Sequence, residues 1–159
     1  MRIVVQRVKH TTLKVNDKLI AEIPFGIVCY VGFTYGDENL NKCPKDINWY
    51  ANKIAHLRIF EDEEGKMNRE LSQVGGEILV VPNFTLYADC SHGLRPSFIE
   101  AMKPEESAKL YTQFVLGMRY AIGEEKVKHG IFRADMQIDQ HNDGPITIII
   151  DSDNIKKRH

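Results

Sequence analysis

Six histidines, three cysteines and an acidic run are the obvious raw material for catalysis in this chain, and none is spaced for it. His10, His56, His92, His129, His141 and His159 show neither HxxxH nor HExxH, the spacings that set two ring nitrogens on one helix face for a metal. Cys29, Cys43 and Cys90 form no CxxC pair, so they are expected as reduced thiols rather than a zinc knuckle or a redox couple. A serine or cysteine nucleophile needs a base and an orienting group, yet the GxSxG elbow is absent. Cys90, Ser91 and His92 are adjacent in sequence, which does not turn their side chains toward one another. Glu61-Asp62-Glu63-Glu64 reads as a solvated turn, and Gly75-Gly76 is too short to cradle a phosphate. The residues thus predict no metal and no cofactor.

Two other segments can do chemistry through their main chain. In Val80-Val81-Pro82-Asn83-Phe84-Thr85-Leu86-Tyr87, Pro82 lacks an N–H and is expected to end the strand ladder. The N–H groups of Asn83, Phe84 and Thr85 would then be free to converge on an anion, as an oxyanion site requires. Equally, Phe84 and Leu86 can be core residues and Thr85 a cap. Asn142-Asp143-Gly144-Pro145 joins residues that tolerate left-handed backbone to a proline with fixed φ, and reads as a turn. With a cis Gly-Pro bond its carbonyls could point together into a cavity; otherwise it is a plain turn.

The elements that must position these segments follow from periodicity. Ile3–Val8 is rich in β-branched residues, and Asn16-Asp17-Lys18 separates two short strands, Thr12–Val15 and Leu19–Ile23, as a hairpin turn would. Ile27–Phe33 is almost wholly apolar, the mark of a strand buried on both faces. Apolar residues at three- and four-residue steps predict a helix over Leu40–Leu57, with Pro44 in its first turn, and a second over Pro104–Tyr120. Short strands are expected at Arg58–Phe60 and Glu77–Val81. Phe132–Ile138 and Ile146–Ile150 are expected as strands on either side of a loop at His141–Pro145. Without regular βαβ alternation, the order favours an antiparallel α+β domain over a doubly wound parallel sheet.

A length of 159 residues fits one domain, and 43% hydrophobic residues suffice for a core without metals or disulfides. A net charge of -1 gives no global field for nucleic acid, though a local patch could still grip a strand end. No run nears the ~18 apolar residues that a membrane span needs, and no signal peptide is evident, so the cytoplasm is the expected location. The segment 151–159 is charged, and nothing apolar beyond Ile155 can anchor it, so it is expected to fray.

Taken together, an ordered set of short motifs resembles the D-aminoacyl-tRNA deacylase family over residues 1–150. The set runs from Gln6-Arg7-Val8 through Arg58-Ile59-Phe60, Glu64-Gly65-Lys66-Met67-Asn68 and Phe84-Thr85-Leu86 to Arg95-Pro96-Ser97-Phe98. It closes with Ala134-Asp135-Met136-Gln137 and Asn142-Asp143-Gly144-Pro145-Ile146-Thr147. One departure stands out: the family's Ser-Gln-Phe-Thr-Leu here reads Pro82-Asn83-Phe84-Thr85-Leu86. The resemblance implies a β-rich, barrel-like α+β domain with two main helices, acting as a homodimer with active sites at the subunit interface. It implies hydrolysis of the ester of D-aminoacyl-tRNA, and of glycyl-tRNA, at the tRNA 3′ end, with no metal. Carried over, Thr85, Phe84 and Asn83 form the catalytic segment. Gly144 and Pro145 hold the α-amino group and exclude an L side chain, Arg7 supports their loop, and Met136 and Phe98 line the pocket. The alternatives are a deacylase of relaxed specificity, because of Pro82-Asn83, and a non-catalytic nucleic-acid-binding protein using the basic tail.

Overall fold

The spine of the molecule is β1 (Arg2–Val15), longer than the expected strand and paired along both edges. A computed structural model of the chain describes residues 1–42 and 46–156. Asn16 and Asp17, at φ 50° and 60°, turn the chain into β2 (Lys18–Ile23), with the two positive-φ centres that suit a tight hairpin. β1 pairs antiparallel with β2 through its second half and with β3 (Gly26–Gly32) through its first half, in a register that sets Arg2 opposite Gly32. Along its other edge lies β8 (Gln137–Asp151), also antiparallel.

Two further strands, β6 (Glu77–Pro82) and β7 (Val127–His129), extend the sheet as parallel neighbours, β6 beside β3 and β7 beside β6. The antiparallel expectation therefore holds for β1, β2, β3 and β8 but not for this side. The reason is connectivity, since a helix-bearing crossover returns the chain in the same direction. The first carries α1 (Ile47–Ala55) and the second α2 (Pro104–Ile122). A separate two-stranded ribbon, β4 (Phe60–Glu61) with β5 (Met67–Arg69), carries the acidic turn. The main sheet curls into a nearly closed, barrel-like shape, giving the α+β architecture with two main helices.

Period-2 alternation divides the core in two. Ile27, Cys29, Val31, Ile78 and Val80 face the helices and join Tyr50, Ile54, Phe114 and Met118. Val28, Leu79 and Val81 face the barrel interior with Val8, Leu13 and Ile23. An unbroken apolar sequence in β3 is thus explained: both of its faces are buried.

Several element boundaries differ from the sequence reading; of the strand expected at Arg58–Phe60 only Phe60 is extended and paired, in β4. The first helix starts at Ile47, where the Asp46 carboxylate caps the Trp49 N–H at 2.8 Å; Asp37–Lys42 is a 3-10 turn, and Cys43 and Pro44 lie outside the described residues. Phe132–Met136 is not a strand, because Arg133 at φ 65° breaks extension there. His141–Pro145 is not a reversal either. β8 passes through it, and the register against β1 slips between Gln6 and Val8 and again between Val8 and His10. The segment is a pair of bulges that push residues out of a continuous strand. At the chain's end, Asp151 pairs with Arg2, the Ser152 N–H donates to the Met1 carbonyl, and α3 (Ser152–Lys156) follows; Lys157, Arg158 and His159 lie outside the described residues.

Candidate functional site

β6 hands the chain directly to a 3-10 turn at Phe84–Tyr87. Pro82 does not end the ladder: it lies opposite Val31, and the next N–H, that of Asn83, still donates to the Val31 carbonyl at 2.8 Å. The strand tolerates the proline because the Asn83 N–H faces β3, so the missing N–H one residue earlier falls on the opposite edge, beyond the end of the β7 pairing. Asn83 then folds the turn with its own side chain. Its Oδ1 accepts the Thr85 N–H at 3.1 Å and also the Thr85 hydroxyl, the local competition for backbone donors that makes asparagine a cap. Of the three N–H groups expected to converge on an anion, those of Asn83 and Thr85 are therefore engaged. Only the Phe84 N–H has no acceptor among the described residues.

This turn forms one wall of a groove of about 800 Å³. The opposite walls are the start of α2 and the segment from Phe132 to Ile138. Asn83, Phe84, Thr85, Phe98 and Met136 all line it, so five of the eight sequence-derived site residues share one cavity. Phe84 and Phe98 meet nearly edge to face, centroids 5.2 Å apart at 68°, yet are 57% and 40% exposed. Two large aromatics left open at a groove mouth suit stacking against a planar ligand. The floor is apolar, from Val31, Val81 and Met102, with Gly130 close beneath: a Cβ there would meet the Met136 sulfur at 2.7 Å.

Gly144, Pro145 and Arg7 do not line this groove; they sit where β1 and β8 bulge. Arg7 is 5% exposed, and its guanidinium is ion-paired with Asp143 although its buried Nε makes no hydrogen bond. Nε contacts Asp143 Oδ2 at 2.9 Å, Nη1 donates to the Ile59 carbonyl at 2.8 Å, and the Phe60 ring lies 6.0 Å away. Lys9 Nζ approaches the other Asp143 oxygen at 3.6 Å. A buried cation is retained only when it is paired, so this set fixes Asp143 and with it Gly144, at φ +121°, and Pro145, joined by a cis peptide. Both tip residues are exposed.

The two regions are connected. The Tyr30 hydroxyl, from a side chain that lines the groove, donates to Gln140 Oε1 at 2.8 Å; the Gln140 amide donates in turn to Gln6 Oε1 at 2.8 Å and to Asn142. Burial pushes the Tyr30 phenol up, which keeps it a neutral donor. Neither this relay nor the charged groove residues Lys103 and Arg133 were given a role from sequence, and Asp135, Gln6 and Asn142 entered only as members of the family-like motifs. The one available signal was Lys103-Pro104, where a proline at N1 marks a helix mouth.

No cluster of three or more histidine, cysteine or acidic side chains that could hold a metal exists among the described residues. Cys29 is buried, and desolvation pushes its thiol up; Cys90 is exposed, and both are free thiols. No helix among the described residues is long and apolar enough to cross a membrane.

The family model described as D-Tyr-tRNA(Tyr) deacylase matches residues 4–151. A D-aminoacyl-tRNA deacylase of Cytophaga hutchinsonii is 48% identical over 151 residues, covering 95% of this chain and 97% of its own. One of Clostridium acetobutylicum is 48% identical over 152 residues, covering 96% and 97%. Among solved structures, the c-Myc DNA unwinding element binding protein superposes with a TM-score of 0.86 at 35% identity, over 96% of this chain and 99% of that one.

Proposed function

The chain belongs to the D-Tyr-tRNA(Tyr) deacylase family and is a D-aminoacyl-tRNA deacylase, and we propose that the groove beside Phe84 and Thr85 is where the ester is cut. The observation that carries this placement is the N–H of Phe84, the one of the three without an acceptor among the described residues, on a residue that lines a groove flanked by two exposed aromatics. The terminal adenosine of the tRNA 3′ end stacks against Phe98 and the Met136 wall. The ester carbonyl then lies against the Phe84 N–H, which stabilises the oxyanion as water attacks; one such donor is worth about 3 kcal/mol. The carbon–oxygen bond to the ribose breaks, the ribose oxygen takes one proton of the attacking water, the other passes to solvent, and the D-amino acid leaves as its carboxylate. The adjacent ribose hydroxyl assists the water. Thr85 orients the reacting groups rather than attacking, because its proton is directed at Asn83 Oδ1 and an amide is no base.

Chirality needs the second region. The main-chain carbonyls of Gly144 and Pro145 accept from the substrate's α-amino group and leave no room for an L side chain, while glycine passes. Selection by exclusion leaves the D side chain untouched, so many D-amino acids are accepted. Because the tip does not line the groove beside Phe84 and Thr85 in its own chain, the reading is a homodimer in which it enters the partner subunit's groove. The reaction belongs in the cytoplasm, where charged tRNA is used. A second reading, relaxed specificity, is favoured by Pro82-Asn83, which ties up the Thr85 N–H.

Catalytic amounts of protein incubated with D-tyrosyl-, L-tyrosyl- and glycyl-tRNA test both readings. Rapid loss of the D and glycyl esters with the L ester intact is expected. Equal survival of the D and L esters would sink the first reading, and measurable cleavage of the L ester would establish the second.

A further inference from the structure

The Phe84–Tyr87 turn is held at its start by Asn83 and closed by the Ala88 N–H on the Thr85 carbonyl at 3.0 Å, but the Leu86 carbonyl accepts no backbone N–H among the described residues. Its partner is distant in sequence. Arg2 Nη1 donates to the Leu86 carbonyl at 2.7 Å, while Arg2 Nε donates to Asp151 Oδ2 at 3.0 Å. The guanidinium carbon also lies 4.8 Å from the centroid of the Tyr87 ring. Three contacts from one planar group use the fork of donors and the cation–π face that only arginine combines.

The ladders explain how Arg2 reaches the turn. Arg2 is opposite Gly32 on β3 and opposite Asp151 on β8. Gly32 has no side chain, and the space it leaves is filled by the turn itself: a Cβ there would meet the Asn83 carbonyl at 2.7 Å and Leu86 Cβ at 3.2 Å. The turn is therefore seated over Gly32 and clamped from the neighbouring strand.

We infer that Arg2 is a positioning residue for the deacylation reaction, locking the C-terminal end of the turn so that the Phe84 N–H stays aimed into the groove. This rests on the reading of that turn as the reacting site. Arg2 is not among the residues that line the groove. A displacement of about 1 Å at a reacting group costs on the order of 100-fold in rate, so the clamp acts on turnover and not on the grip on tRNA.

Arg2→Met and Arg2→Lys in the full chain test this, with Arg58→Met as a control that removes an exposed arginine bond of the same kind, Nε to the Asn68 carbonyl at 2.7 Å. Well below the melting temperature, kcat on D-tyrosyl-tRNA should fall about 30-fold in Arg2→Met with KM within about twofold. Arg2→Lys, which keeps one donor arm, should fall between that and wild type, and Arg58→Met should match wild type. Amide exchange should quicken at residues 84–88 in Arg2→Met and stay unchanged in β6. Wild-type kcat in Arg2→Met, or unchanged exchange across the turn, overturns the inference. So does a loss confined to KM. Inactive wild-type protein would instead defeat the proposed function, and the exchange measurement would still decide whether Arg2 holds the turn.

Discussion

At the scale of the residue, Asn83 decides what Thr85 can be. Its carboxamide oxygen takes both the N–H and the hydroxyl of Thr85, so threonine presents only lone pairs to the groove and phenylalanine supplies the donor. A substitution one atom in size separates the two possible roles of Thr85. Asn83→Asp keeps the acceptor and hence the cap, with stability expected within about 0.5 kcal/mol because both residues cap well. It also sets a carboxylate beside the place where an oxyanion forms. If Thr85 only orients, like charges oppose each other and single-turnover deacylation should slow at least tenfold. If Thr85 were a nucleophile waiting for a base, the same change would speed the reaction. None of this was readable from Pro-Asn-Phe-Thr-Leu alone. Whether an asparagine caps or leaves its neighbours' N–H groups free depends on its backbone, here φ -145° and ψ 95°, which the sequence does not specify.

At the scale of the element, the site depends on a glycine whose need is close approach and not unusual backbone. Gly32→Ala places a methyl 2.7 Å from a backbone oxygen that has no flexible end to swing away, so the 84–87 turn must shift. The expected outcome is a loss of kcat of about 10- to 100-fold with a melting temperature lowered by only a few degrees, since the buried core beyond β3 is untouched. Rates compared with thermal unfolding on the same preparation check it. The same strand shows what sequence reading can reach. β3 was legible because burial on both faces leaves an unbroken apolar run, and the β1–β2 hairpin because Asn16-Asp17 suits two left-handed residues. β8 was not. Its centre carries Asn-Asp-Gly-Pro, every residue of which signals a turn locally, yet eleven ladder positions along β1 keep the strand continuous and convert the turn signal into bulges. Nonlocal pairing overrode local preference there, and the parallel pairing of β6 was hidden likewise, because it depends on where the crossovers land.

At the scale of the whole molecule, the two parts proposed for the site lie apart within one chain. The groove is walled by β6, the turn and α2, while the Gly144-Pro145 tip projects beside the buried Arg7–Asp143 pair on β1 and β8. The family pattern at these positions was legible in the residues, but their separation within a chain follows only from the path of β8. If the working site is built from the groove of one copy and the tip of another, two differently defective chains should repair one another. Thr85→Val spoils a groove and spares its tip. Gly144→Ala spoils a tip, because an L side chain is strained at φ +121° and its Cβ would crowd Ile146 Cγ1 at 2.9 Å, and spares its groove. Each variant alone forms dimers with two broken sites. Mixed after dissociation, half the dimers are mixed by chance, and each contains one site in which both defects meet and one in which neither does. D-tyrosyl-tRNA deacylation should therefore recover to about a quarter of the wild-type rate for a symmetric two-site dimer. A mixture no more active than its parts, from proteins shown by size exclusion to have exchanged subunits, would place tip and groove in separate tasks.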